Sequence, residues 1–206
     1  MIIAPHPDDE AIGCGGTIGL HVDRGDRVVA VFLTSGELGL KNLPREQAWR
    51  QRETEAHAAA EVLSISELMF LRRGDWFISD TVEETAKALR TIFCRESPDI
   101  IYLPHSRESH PDHKASLAAV RAALPENQCA PPILRCYEFW TPLAEYDHVE
   151  NITQTMARKL RAIRCYRSQL VQYRYDQAVR GLNQYRGVTA GKCRFAEVFQ
   201  SFSSQS

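Results

Sequence analysis

Short runs of apolar, β-branched residues alternate along this chain with longer stretches in which apolar positions recur every three or four residues. Val28-Val29-Ala30-Val31-Phe32-Leu33 and Ile100-Ile101-Tyr102-Leu103 are brief, apolar on both faces and flanked by Gly or Pro, the pattern of strands buried inside a sheet. Ile2-Ile3-Ala4 and Leu68-Met69-Phe70-Leu71 predict two more. Helical spacing covers residues 11–24, 45–63, 81–96 and 112–123; in the second of these Ala48, Trp49, Ala56, Ala59, Ala60 and Leu63 recur at the helical period. Strand and helix in alternation call for a mostly parallel sheet with helices on both faces, a Rossmann-like α/β fold.

Such sheets bind ligands beyond the carboxyl ends of their strands, where the strand order reverses, so the loops after Ala4, Leu33, Leu71 and Leu103 are the places to search. Two of them carry chemistry. After the first strand stands Pro5-His6-Pro7-Asp8-Asp9-Glu10, in which four residues can bind a metal or move a proton and two prolines stiffen the backbone. After the fourth, Leu103-Pro104-His105 leads into His110-Pro111-Asp112-His113. Asp112 is placed to cap a helix with its carboxylate, and His110 and His113 to project from one rim. A catalytic zinc takes three nitrogen or oxygen ligands and keeps a fourth position open; His6 and Asp9 from one loop and His113 from the other can supply them. The Gly13-Cys14-Gly15-Gly16 run lacks dinucleotide-binding spacing, which makes close helix–sheet packing a better reading than a phosphate cradle. His21, His57 and His148 lie in ordinary contexts.

At 206 residues, 44% hydrophobic and 25% charged, the chain fits one folded domain spanning 1–206. The longest apolar run is six residues, far short of the ~20 that span a bilayer. The opening residues have no basic segment followed by an apolar one, so cytoplasmic residence is expected. Six cysteines form no CxxC pair and read as reduced core thiols. Charge is uneven: residues 151–206 carry ten Lys+Arg against two Asp+Glu, and the first 150 carry 15 against 24. A basic tail can bind nucleic acid. Here the arginines are spread over helical sequence with no aromatic-basic repeat, which favours solvated helix faces and subunit contacts in a homo-oligomer. Residues 152–186 are predicted to be largely helical, with Met156, Leu160, Ile163, Leu170 and Tyr173 on the packed face.

Pro5-His6-Pro7-Asp8-Asp9-Glu10 with the Gly-rich turn, followed about a hundred residues later by His110-Pro111-Asp112-His113, resembles the LmbE/PIG-L family of zinc-dependent de-N-acetylases. The likeness extends to Arg52 and Glu55, to Tyr166-Arg167-Ser168-Gln169, to Arg186-Gly187 and to Ala196-Glu197-Val198-Phe199. It implies that His6, Asp9 and His113 hold Zn²⁺ and that Asp8 is the general base. His110 would be a cationic imidazole that steadies the oxyanion or protonates the leaving amine, and Arg52 and Asp75 would contact the substrate. Glu108 stands two residues before His110, where relatives often have Asp or Tyr. The implied reaction is attack of zinc-bound water on the N-acetyl group of an N-acetylglucosamine-type amino sugar or conjugate. The rivals are a zinc amidase acting on a larger acyl or thiol conjugate, and a Rossmann-like nucleotide-binding module.

Overall fold

A computed structural model describes residues 1–124 and 131–202. Each apolar run becomes a strand: β1 (Ile2–Ala4), β2 (Val29–Thr34), β3 (Glu67–Arg73) and β4 (Ile100–Pro104). Between them run α1 (Asp9–Asp23), α2 (Arg45–Leu63) and α3 (Val82–Glu96), and α4 (Pro111–Ala123) follows β4. Beyond residue 130 the chain adds β5 (Ile133–Tyr137) and β6 (His148–Asn151), then α5 (Met156–Ile163), α6 (Arg167–Leu170) and α7 (Tyr175–Arg186), and ends in β7 (Ala196–Phe202).

The seven strands form one sheet in the order β3-β2-β1-β4-β5-β7-β6. The first five are parallel, whereas β7 runs antiparallel to both β5 and β6. The chain moves outward from β1 to β2 and β3, then returns to place β4 on the other side of β1, so the carboxyl ends of β1 and β4 flank the crevice where the order reverses. One apolar core lies under α1, α2 and the C-terminal helices, the other under α3 and α4.

Several expectations need correction. No strand is expected after residue 103 from the sequence, yet β5, β6 and β7 follow. β3 is an edge strand and only half buried. The 152–186 segment is largely helical, and Met156 and Ile163 are buried, but Tyr173 lies in the turn before α7 and is exposed. The cysteines are not uniformly core thiols: Cys14 and Cys136 are buried, Cys94 is exposed, Cys165 and Cys193 are half-buried, and Cys129 lies outside the described residues. No helix among the described residues is long and apolar enough to cross a membrane.

The glycine run does the packing expected of it. A Cβ on Gly13 would enter the ring of Tyr137, and one on Gly16 would meet Ile152. The same run interrupts α1, because Cys14 leaves helical geometry at φ −141°. The backbone N–H groups of Gly16 and Thr17 then donate to the Glu197 carboxylate on β7, at 2.9 and 2.8 Å, and Lys159 on α5 neutralises that carboxylate at 2.6 Å. A break inside a buried helix is thereby satisfied from the last strand.

Candidate active site

The loop leaving β1 is tightly constrained. Asp8, at the N-terminus of α1, has φ 132°, a left-handed backbone that a non-glycine residue adopts only under strain, and such strain concentrates at functional sites. Arg52 on α2 locks it, donating from one Nη2 to the Pro7 carbonyl at 2.5 Å and to Asp8 Oδ2 at 3.2 Å. Burial pushes the Asp8 carboxyl up to about 6, although the Arg52 guanidinium pulls the other way. Next along, Glu10 accepts from the Tyr166 hydroxyl at 2.5 Å and the Asp8 N–H at 3.1 Å, and burial drives it up to about 8.

Asp9 is the meeting point of the two loops. Its Oδ2 lies 3.3 Å from His6 Nδ1 and 3.2 Å from His113 Nε2. Burial alone would raise its pKa, but His113 and His6 outweigh burial and hold its carboxyl well below the usual range. The second nitrogen of His6, Nε2, faces Asp112 Oδ2 at 3.1 Å and Asp75 Oδ1 at 3.2 Å. Burial disfavours charge on His6, yet those carboxylates together lift it well above the ordinary imidazole value. Asp112 therefore does not cap α4 as expected. Its carboxylate accepts from the N–H groups of Trp76 and Ile78, at 2.8 and 3.1 Å, and His110 is the cap instead, its Nδ1 accepting the Asp112 N–H at 3.3 Å.

His110 completes the rim, with ring centroids 4.7 Å from His6 and 5.3 Å from His113. Burial first, and then the neighbouring His6 and His113, push it down to about 4, which works against the cationic His110 expected from the sequence. Because Nδ1 accepts, its proton sits on Nε2.

Donor atoms converge in two groups, His6–His110–His113 and His6–Asp75–Asp112, each with ligand atoms within 4.8 Å of one another. The donor set His6, Asp9 and His113 passes a separate test of fit. Asp9 Oδ1 and both ring nitrogens of His113 are buried with no hydrogen-bond partner, a costly arrangement that a cation between them would resolve. The Asp112 carboxylate behind His6 is the usual support of a metal-ligating imidazole.

Arg52 and Asp75, expected to contact substrate, are both buried beside this cluster. Arg52 keeps Nε and Nη1 unpartnered, while Asp75 accepts the Leu38 N–H at 2.9 Å. Glu108 and Trp76 take roles that the sequence did not assign to them. Glu108 gathers the N–H groups of Phe139, Trp140 and Thr141 at 2.7, 3.1 and 3.3 Å, which turns the β5 exit loop over His113. Trp76, at φ 74° and 53% exposed, lays its indole 4.5 Å from the His110 ring at the mouth. A carboxylate just ahead of His-Pro and an aromatic residue just after Asp75 were the available signals.

Residues 1–124 match the PIG-L family, described as GlcNAc-PI de-N-acetylase. A diacetylchitobiose deacetylase of Thermococcus kodakarensis is 32% identical, covering 96% of this chain and 80% of the relative. A probable N-acetyl-α-D-glucosaminyl L-malate deacetylase 2 of Bacillus cereus is also 32% identical, covering 82% of each. Among solved structures, N,N'-diacetylchitobiose deacetylase from Pyrococcus horikoshii, complexed with its inhibitor MPG, superposes with a TM-score of 0.85 at 26% identity, over 99% of this chain and 83% of that one.

Proposed function

The chain belongs to the PIG-L family of deacetylases, and from that membership and the geometry of the crevice we propose that it is a zinc-dependent hydrolase removing the N-acetyl group of an N-acetylglucosamine-type sugar or conjugate. The observation that carries the reading is the Asp9 carboxylate wedged between His6 and His113, with buried polar atoms on Asp9 and His113 left unpartnered.

His6, Asp9 and His113 would hold the ion, and zinc bound there supplies Lewis-acid polarisation of the scissile carbonyl and activation of water. The remaining steps belong to side chains. Asp8, with its pKa raised to about 6, is ionised at neutral pH yet basic enough to take the proton of the attacking water, the match a general base needs. It returns that proton to the leaving nitrogen as the C–N bond breaks, releasing acetate and a free amine. His110 presents its Nε2–H, without charge, as a donor to the oxygen on which negative charge develops. Arg52 fixes Asp8 through the Pro7 carbonyl and keeps two unpartnered donors beside the site. Asp75 can accept from a sugar hydroxyl, and the exposed indole of Trp76 offers a flat apolar face to a pyranose ring.

The test is metal analysis of the purified protein combined with acetate release from a panel of N-acetylglucosamine conjugates. About one zinc per chain and chelator-sensitive release are expected. Undiminished release after exhaustive chelation would overturn the role of the metal.

A further inference from the structure

A cavity of about 430 Å³ lies at the same edge of the sheet, beyond β5 and β7. It shares a wall with the crevice. Phe139 lines it, and the same ring stacks on His113 with centroids 5.9 Å apart; Ile12 and Gly13, one turn past Asp9, form its floor. Across from them stand Trp140, Tyr175, Val179 and Leu182. The aromatic wall is ordered by its own contacts, Tyr175 lying 5.7 Å from Phe139 and 5.6 Å from Trp140.

The two carboxylates that line this cavity are paired. Glu138 is held by Arg186 at 2.9 and 2.7 Å, and Glu197 by Lys159, Gly16 and Thr17. Asn183 lines the cavity and is 4% exposed, and its Nδ2 donates to the Ala196 carbonyl at 3.0 Å, which fixes the amide orientation. Its Oδ1 is then a buried acceptor with no partner. That oxygen is enclosed by protein rather than open to the cavity, so the cavity itself is largely apolar; an apolar cavity one ring away from a hydrolytic centre is the shape of a small-molecule subsite.

We propose that this cavity receives the aglycone of the substrate, an aryl or branched alkyl group. The proposal rests on the deacetylase reading and narrows it: the substrates are N-acetylglucosaminides with an apolar substituent rather than the bare sugar. Apolar pockets discriminate by 10- to 200-fold per group filled or left empty.

The experiment compares methyl and phenyl N-acetylglucosaminides, both anomers, by kcat/KM and by calorimetric binding. The expected result is a phenyl-to-methyl ratio of about tenfold or more for one anomer, residing in KM. Ala178→Trp, on the exposed side of α7, and Leu182→Trp each fill the cavity; with the melting temperature as a folding control, either should bring that ratio to within about twofold of one. Equal ratios in the wild type, or a preference that survives both tryptophans, would overturn the subsite. Should no acetate be released from any glycoside, the deacetylase reading fails by itself, and the subsite is then judged by whether phenyl-glycoside binding heat is present in the wild type and absent in Ala178→Trp.

Discussion

Residues 1–124 and 131–202 treat buried polar groups in opposite ways. In the first region the chain buries charge and leaves it short of partners: five of the eight unpartnered buried side-chain atoms among the described residues belong to Asp9, Arg52 and His113. In the second, the buried ions are matched, Lys159 with Glu197 and Arg186 with Glu138 in a two-bond fork, and among the described residues there one buried side-chain atom, Asn183 Oδ1, is left unpartnered. Satisfied burial makes a scaffold, whereas unsatisfied burial makes a place for a ligand that brings the missing charge or hydrogen bond. The net positive charge beyond residue 150 is accordingly spent in part on internal pairs, Arg158 with Asp23 and Arg164 with Asp176 among them.

This contrast can be broken by mutation. The largest effect is expected for His113→Ala, which should drop zinc content from about one per chain toward zero and take acetate release with it, excess zinc rescuing only part. A His113→Ala protein with full zinc would move the ion to another donor group. Asp8→Asn should keep zinc and shape while losing roughly 10²–10⁴-fold in kcat at little cost in KM; unchanged kcat removes Asp8 from the mechanism. On the scaffold side, Lys159→Met leaves Glu197 buried and unpaired, so denaturant unfolding should show a loss of about 3–5 kcal/mol. If that variant lost zinc without losing stability, the division between the two regions would be wrong.

The smallest effect concerns one of the contacts that join them. Tyr166→Phe removes the donor to Glu10 and should cost about 1–3 kcal/mol. Glu10 carries the sign of the pH dependence. Its native pKa, raised from 4.5 to about 8, means that the native state of the metal-free protein keeps a proton the unfolded chain has lost. That contribution to stability is fully present below 4.5 and disappears as pH rises through about 8. Since the Tyr166 hydroxyl lowers the Glu10 pKa, Tyr166→Phe should move the upper limb of the profile above 8. Glu10→Gln should flatten it.

The parallel strands and the chemistry-bearing loops were legible because both are local. β2 and β4 announce themselves by continuous apolarity, and the site residues occupy two contiguous motifs at strand ends. What could not be read is long-range pairing. Nothing near Glu10 names Tyr166 as its partner, 156 positions away, and nothing near Asp112 shows that its carboxylate turns toward Trp76 and His6 rather than along α4. The downward push on the His110 imidazole is equally hidden, since it comes from burial and from two imidazoles, one of them in a distant loop. β5, β6 and β7 escaped because strands of mixed polarity carry a weak signal.

The interruption of α1 bears on when this protein can finish folding. The carboxylate that closes the break arrives 181 residues after Gly16, on the last strand of the sheet. The Gly16 and Thr17 amides stay open until β7, far along the chain, has paired into the sheet. Contacts of such sequence separation slow folding, because loop closure must precede their reward. The crevice at the head of α1 thus gains its rigid backing only once β7 has joined the sheet.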